Sequence, residues 1–176
     1  PDFLTPKKIV QSFGLEKGDF IADFGAGHGY FTIPLAQSAG NDGKVYAIDI
    51  QKSVLEIIRA RAKAENILTI ETLQKDIERE NGSGLKEESI DFALIANILF
   101  QQEKKDAIFR EAYRILRKGG KAAVVDWGED EAPLGPPKPM RIKKGDVRFL
   151  AQEAGFEFEK EFDAGAYHYG LLFRRV

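Results

Sequence analysis

The sequence contains no cysteine, and that absence removes several chemistries at once. Disulfides, thiolate metal sites and cysteine nucleophiles are all excluded. Imidazole is scarce too, with only His28 and His168, and no metal-ligating cluster is read. No apolar run approaches membrane-span length, and the stretch "PDFLTPKK" lacks a signal-peptide core. A cytoplasmic location without membrane attachment is therefore expected. Charge of one sign is not in excess either: 26 Lys and Arg against 28 Asp and Glu give −2. Such a balance offers no general attraction to a phosphate backbone, so nucleic acid is disfavoured as a partner.

What is present is an ordinary globular composition, 43% hydrophobic and 31% charged over 176 residues. That length predicts a single domain around one core. An N-terminal helical segment is expected within 1–14, with Thr5 as cap, Pro6 in the first turn and Gly14 as stop. "DFIADF" (Asp19–Phe24) reads as a buried strand leading into glycines. Pro34 belongs in the first turn of a helix, so the following helix must start close to Tyr30.

"KVYAIDI" (Lys44–Ile50) is the second strand, and the helix after it is expected to bury Val54, Ile57 and Ile58. Leu68–Gln74 and Ser89–Asn97 are the third and fourth strands, with a polar loop between them. Lys104–Leu116 reads as a helix with Ile108, Ala112, Ile115 and Leu116 inward. Arg117 and Lys118 suit its negative end and Gly119 its stop. Lys121–Trp127 is the fifth strand. A Pro-rich loop over 128–145 follows, too rich in proline for regular structure. A last helix (Asp146–Ala154) and two strands (Phe156–Phe162, Ala166–Arg174) close the chain.

Strands alternating with helices predict an α/β fold, a doubly wound, Rossmann-like sheet of seven strands. Only Asp163–Gly165 separates the last two strands, too short for a parallel crossover. They must pair antiparallel, in an otherwise mostly parallel sheet.

The stretch "FIADFGAGHGYFTIPLAQ" (Phe20–Gln37) carries the functional question. A glycine-rich turn between strand and helix is expected to present free backbone N–H groups to a ligand that approaches closely. Dinucleotide sites need G-x-G-x-x-G. Here Gly25 and Gly27 fill the first two places, but Tyr30 occupies the third and the glycine falls early, at Gly29. Asp23 would repel a pyrophosphate and attract a cationic amino group. Asp49, at the end of the second strand, suits ribose hydroxyls in either cofactor class. No Tyr-x-x-x-Lys pair is present. The balance favours a cationic, phosphate-free ligand, with an NAD(P)-dependent oxidoreductase as the alternative.

At these residues the chain resembles the class I S-adenosylmethionine-dependent methyltransferases, and within them the small-molecule enzymes similar to the quinone-biosynthesis type. "DFGAGHG" (Asp23–Gly29) looks like their first motif, D/E-x-G-x-G-x-G, and "YAIDI" like the second. "KDI" (Lys75–Ile77), "DFALIANILFQ" and "ILRKGGKAAVVDW" resemble the later ones. The resemblance implies S-adenosyl-L-methionine as cofactor, held by Asp23, Gly25, Ala26, Gly27, Gly29, Asp49, Ile50, Asp76, Ile77 and Asn97. In it, Asp49 would take the ribose, Ile50 and Ile77 the adenine ring, Asp76 the adenine amino group, and Asn97 the methionine part. It also implies one methyltransferase domain over 1–176, and the antiparallel final strand fits it. The chain departs from many relatives in lacking a large substrate-capping insertion.

Methyl transfer from a sulfonium fixes no universal catalytic residue, since a base is needed only for a protonated acceptor. His168 is the first candidate catalytic group, because the last strand begins at the ligand edge of the sheet. His28, in the glycine turn, is the second, set against a solvated turn residue. Trp127 is read as packing. Lys138, Arg141, Lys143, Lys144 and Arg148 form either a solvated face or the recognition of an anionic small-molecule acceptor. A homo-oligomer is left open, as is a non-catalytic cofactor-binding subunit.

Overall fold

The computed structural model describes residues 5–176; the expected N-terminal segment lies partly outside them, at residues 1–4. The N-terminal helix α1 (Pro6–Val10) passes into a 3-10 turn (Gln11–Phe13) and stops at Gly14 in the left-handed region. Thr5 closes it through its backbone, with its carbonyl accepting from Ile9 N at 3.1 Å, and makes no side-chain cap.

Then follow β1 (Phe20–Phe24), α2 (Thr32–Ala39), β2 (Lys44–Asp49), α3 (Lys52–Ala64), β3 (Ile70–Gln74) and β4 (Ile90–Ala96). Pro34 falls in the first turn of α2, where its missing N–H costs no helical bond. The remaining elements are a 3-10 turn (Leu99–Gln101), α4 (Lys105–Ile115), β5 (Leu116–Trp127), α5 (Lys144–Glu153), β6 (Phe156–Asp163) and β7 (His168–Arg175). The Pro-rich loop is not wholly irregular, since Pro139 fits a 3-10 turn at Lys138–Met140 and α5 takes the loop's last two positions.

The seven strands form one sheet in the order β3-β2-β1-β4-β5-β7-β6. All pairs are parallel except those of β7, which lies antiparallel to both β5 and β6. Strand direction follows from connection length, as expected. Alternation then splits the core. Ile21, Val45, Leu94 and Val125 face α1 and α2, with Ala47 against α3. Ala22, Ile95, Val124 and Phe173 face α4 and α5. The chain reverses its winding between β1 and β4, which opens a crevice at the carboxyl ends of those strands.

Two helix readings need correction. The buried face of α3 is Leu55, Ile58 and Ala62, while Ile57 is 41% exposed. Four apolar residues in five positions leave the phase of that face ambiguous, and packing on Ala47 selects it. Nor does α4 end on Arg117, Lys118 and Gly119. Leu116 is already extended and starts β5, Arg117 pairs with Asp91 at 3.0 Å, and Gly119 lies in a bulge between β5 and β4. Among the described residues, no helix is long and apolar enough to cross a membrane.

Candidate active site

β1 delivers the chain to Gly25, whose φ of +68° makes the turn. A Cβ there would strike the Ile98 side chain, so both backbone angle and space demand glycine. The turn's N–H groups point inward, contrary to the sequence expectation. Gly25 N and Ala26 N both donate to the Ile48 carbonyl, at 2.9 and 3.0 Å, and Gly29 N donates to Ala26 O at 3.1 Å. Gly27 N donates to Asp49 Oδ2 at 3.1 Å. With these donors committed to β2 and to the turn itself, this is no pyrophosphate cradle. Gly29 is buried, and its Cα faces Ile58 on α3, leaving 3.0 Å for an added Cβ. It serves helix packing and does not line the cavity, unlike Gly25, Ala26 and Gly27.

The carboxylates are organised differently from one another. Asp23 is 2% exposed and accepts from Thr32 Oγ1 at 2.6 Å. Burial pushes its pKa up to about 7, with the Thr32 bond opposing and the Asp49 charge adding to the rise. Asp49 links the turn to α3, since Oδ1 accepts from Gln51 N at 2.9 Å while Oδ2 holds Gly27. Asp76 builds its own loop, accepting from Glu78 N at 3.0 Å and Arg79 Nε at 3.2 Å.

Asn97, just past β4, adopts φ +56° and anchors its N–H on Val125 O at 2.8 Å. Its Oδ1 is buried with no hydrogen-bond partner among the described residues. Ile50 is exposed and Ile77 buried. Asp23, Asp49, Ile50, Asp76, Ile77 and Asn97 line one cavity of about 990 Å³ over the carboxyl edge of the sheet.

The same cavity continues to Trp127, Leu134 and His168. His168 opens β7 and pairs with Trp127 at the end of β5, their rings 4.2 Å apart. Both its ring nitrogens are buried with no hydrogen-bond partner among the described residues. Burial first, and then the Arg141 charge, push its pKa down to about 4, so the imidazole is neutral at physiological pH. Tyr169 points the other way, into the core, and donates its hydroxyl to Ile142 O at 2.8 Å. His28 is exposed at the rim, in edge contact with Tyr30.

Most of the basic run turns to internal partners. Arg141 donates to the carbonyls of Pro136, Gly128 and Asp130 at 2.9, 2.8 and 2.7 Å. Lys144 meets Glu161 at 3.2 Å, and Arg148 lies over Phe158.

Residues 21–120 match a methyltransferase domain model, covering more than half of the 176-residue chain. The chain belongs to the methyltransferase-domain family. It is 26% identical over 132 residues to a demethylmenaquinone methyltransferase of Lactobacillus johnsonii, covering 73% of this chain and 52% of that protein. It is 30% identical over 130 residues to a ubiquinone/menaquinone biosynthesis C-methyltransferase, UbiE, of Pseudoalteromonas translucida, covering 73% and 50%. The chain thus spans about half the length of these curated relatives. Its fold superposes on a SAM-dependent methyltransferase from Aquifex aeolicus with a TM-score of 0.90, at 24% identity, covering 99% of this chain and 91% of that one. The hydride alternative is set aside.

The donor set of this methyltransferase fold suits S-adenosylmethionine. A buried carboxylate and the unpartnered Asn97 Oδ1 offer acceptors for a cationic amino group, and Asp49 keeps lone pairs for ribose hydroxyls. Sequence reasoning missed Ile98, whose side chain enforces Gly25, and favoured packing over substrate contact for Trp127, which both packs on His168 and lines the cavity. The aromatic residue ending β5 opposite His168 was the available signal for Trp127.

Proposed function

We propose that the chain catalyses methyl transfer from S-adenosylmethionine to a small-molecule acceptor, as one methyltransferase domain. One observation carries this reading: the glycine turn and Asp49 open into the same cavity as Trp127 and His168. At about 990 Å³ it matches the upper end of small-molecule sites, roughly 300–1,000 Å³. That is room for a cofactor and a compact acceptor together.

In this reading Asp49 holds the ribose, Ile50 and Ile77 flank the adenine, and Asp76 faces its amino group. Asp23 and Asn97 serve the amino-acid end. The bound cofactor supplies an activated methyl group with a good leaving group. The chain's own work is to orient the partners and exclude water, effects that contribute roughly 7–11 kcal/mol when alignment is good. Trp127 offers a flat apolar wall to the acceptor. His168, held neutral, accepts a hydrogen bond from an acceptor hydroxyl at one ring nitrogen; with so low a pKa it orients the acceptor more than it removes the proton. His28 is exposed at the rim, which leaves His168 as the group that orients the acceptor.

The relatives' names make demethylmenaquinone the first acceptor to test. Protein is incubated with methyl-labelled S-adenosylmethionine and that quinone, then with a metabolite extract. Label recovered in a small molecule supports the proposal. Cofactor binding without transfer to any pool would make the chain a binding subunit instead.

A further inference from the structure

The segment carrying Asp76 and Ile77 has no regular structure between β3 and β4, yet Ile77 and Ser83 are buried. Something must hold it, and the hydrogen bonds lead to α4. Glu78 Oε2 accepts from Lys104 N at 2.6 Å, at the start of that helix. Farther along, Glu111 is 4% exposed and reaches Ser83, which is fully buried. Its Oε1 accepts from Ser83 N at 3.1 Å and Ser83 Oγ at 2.5 Å. Arg114 closes the cluster, donating to both Glu111 oxygens and, at 2.8 Å, to Leu85 O.

Gly82 couples this cluster to the cavity. A Cβ on it would overlap the Asp76 carbonyl and lie 2.7 Å from Arg79 O and 3.0 Å from Ile77 Cα. The backbone next to Ser83 therefore rests directly on the backbone of Asp76 and Ile77. Glu111 itself lies outside the cavity lining. Burial alone would raise its pKa, but the bonds from Arg114 and Ser83 outweigh that and keep it ionised. A buried charge that is so fully paired is costly to keep where apolar packing would serve.

We infer that Glu111 is a positioning residue for the adenine end of the cofactor site, acting through Ser83 and Gly82 on Asp76 and Ile77. The inference rests on the S-adenosylmethionine reading above. Its action is indirect: Glu111 touches no ligand and fixes where Asp76 and Ile77 stand.

The test is a double-mutant cycle read by calorimetric titration with S-adenosylhomocysteine, which needs no acceptor and no turnover. Glu111→Ala should weaken binding about tenfold in the parent background. In an Asp76→Ala background the same change should weaken it less than threefold, because the polar one of the two positioned residues is gone and only the Ile77 contact remains to be lost. In an Asp49→Asn background the full tenfold should remain, since that site lies on another element. Glu111→Gln, which keeps an acceptor for Ser83, should restore most of the affinity. If Glu111→Ala does not fold, Ser83→Ala replaces it in the same cycle.

A loss equal in all three backgrounds would mean general destabilisation and would overturn the inference alone. A parent protein that binds no S-adenosylhomocysteine would overturn the cofactor reading and this inference with it.

Discussion

Thr32 donates its hydroxyl to Asp23 at 2.6 Å, joining the start of α2 to the end of β1 beneath the glycine turn. It is the direct bond that opposes the desolvation of a buried carboxylate, and it opposes it only in part. The Asp23 pKa still rises from 3.8 to about 7.

That rise has a sign. The folded protein favours protonated Asp23, so the stability it contributes is complete below pH 3.8 and lost as pH climbs to about 7. The loss is about 1.4 kcal/mol per pH unit in that window. A cationic ligand needs the ionised form, so affinity for S-adenosylhomocysteine should rise with pH up to about 7, by at most tenfold per unit. Asp23→Asn should flatten both trends. Thermal melts and titrations from pH 5 to 8, in parent and variant, check this, and identical slopes in the two proteins would contradict it.

Asp49→Ala should reduce cofactor affinity more than it reduces stability. The carboxylate accepts two backbone N–H groups, from Gly27 and Gln51, and in the proposed site also two ribose hydroxyls. Charge-assisted bonds are worth roughly 1.5–3 kcal/mol each, so losing two should weaken Kd by at least about a hundredfold. The Gln51 bond is exposed and water replaces it, so the turn itself would loosen by only about 1–2 kcal/mol, mostly from the part-buried Gly27 bond. Calorimetry beside thermal denaturation separates the two effects.

Much of this site is visible in one dimension because it is local. The positive-φ glycines and the acid before them lie in a strand–turn–helix that sequence spacing describes well, and the acid ending β2 is marked by its place at the end of the next strand. The inward turn of the N–H groups is not local, since it depends on the Ile48 carbonyl and Asp49 of a neighbouring strand. Direct passage from α4 into β5 was hidden because Arg-Lys-Gly-Gly reads equally well as a helix end or a strand bulge. The Glu111 cluster did leave a trace. Glu111 shares a helical face with Ile108, Ala112 and Ile115, where a charge needs a partner.

His168→Ala should lower the methyl-transfer rate and leave cofactor affinity unchanged. Because the His168 pKa lies near 4, the parent's rate between pH 5 and 9 should contain no step from this residue. The folded protein holds His168 neutral, so the stability involved is present above pH 6.5 and lost as pH falls towards 4. Rate–pH profiles with the acceptor found by the labelled-methyl assay decide the matter. A parent step near pH 6.5 that vanishes in the variant would refute a buried, neutral imidazole.

Arg141 gathers three carbonyls of the Pro-rich strap and lies 5.6 Å from the centre of the Trp127 ring. Two substitutions separate its geometry from its charge. Lysine keeps the charge but cannot reproduce the planar fork that binds several acceptors at once. Arg141→Lys should therefore free the strap, seen as faster hydrogen exchange and proteolysis over residues 128–140, with the His168 pKa little changed. Arg141→Gln should free the strap and also raise the His168 pKa, because a positive charge that opposes imidazole protonation is gone. The chain has only two histidines, so ring-proton NMR titration with one His28→Gln control assigns both signals. An unchanged His168 pKa in Arg141→Gln would show that burial alone sets it. Unchanged exchange in both variants would show that the strap is held by its contact between Gly135 and Trp127 instead.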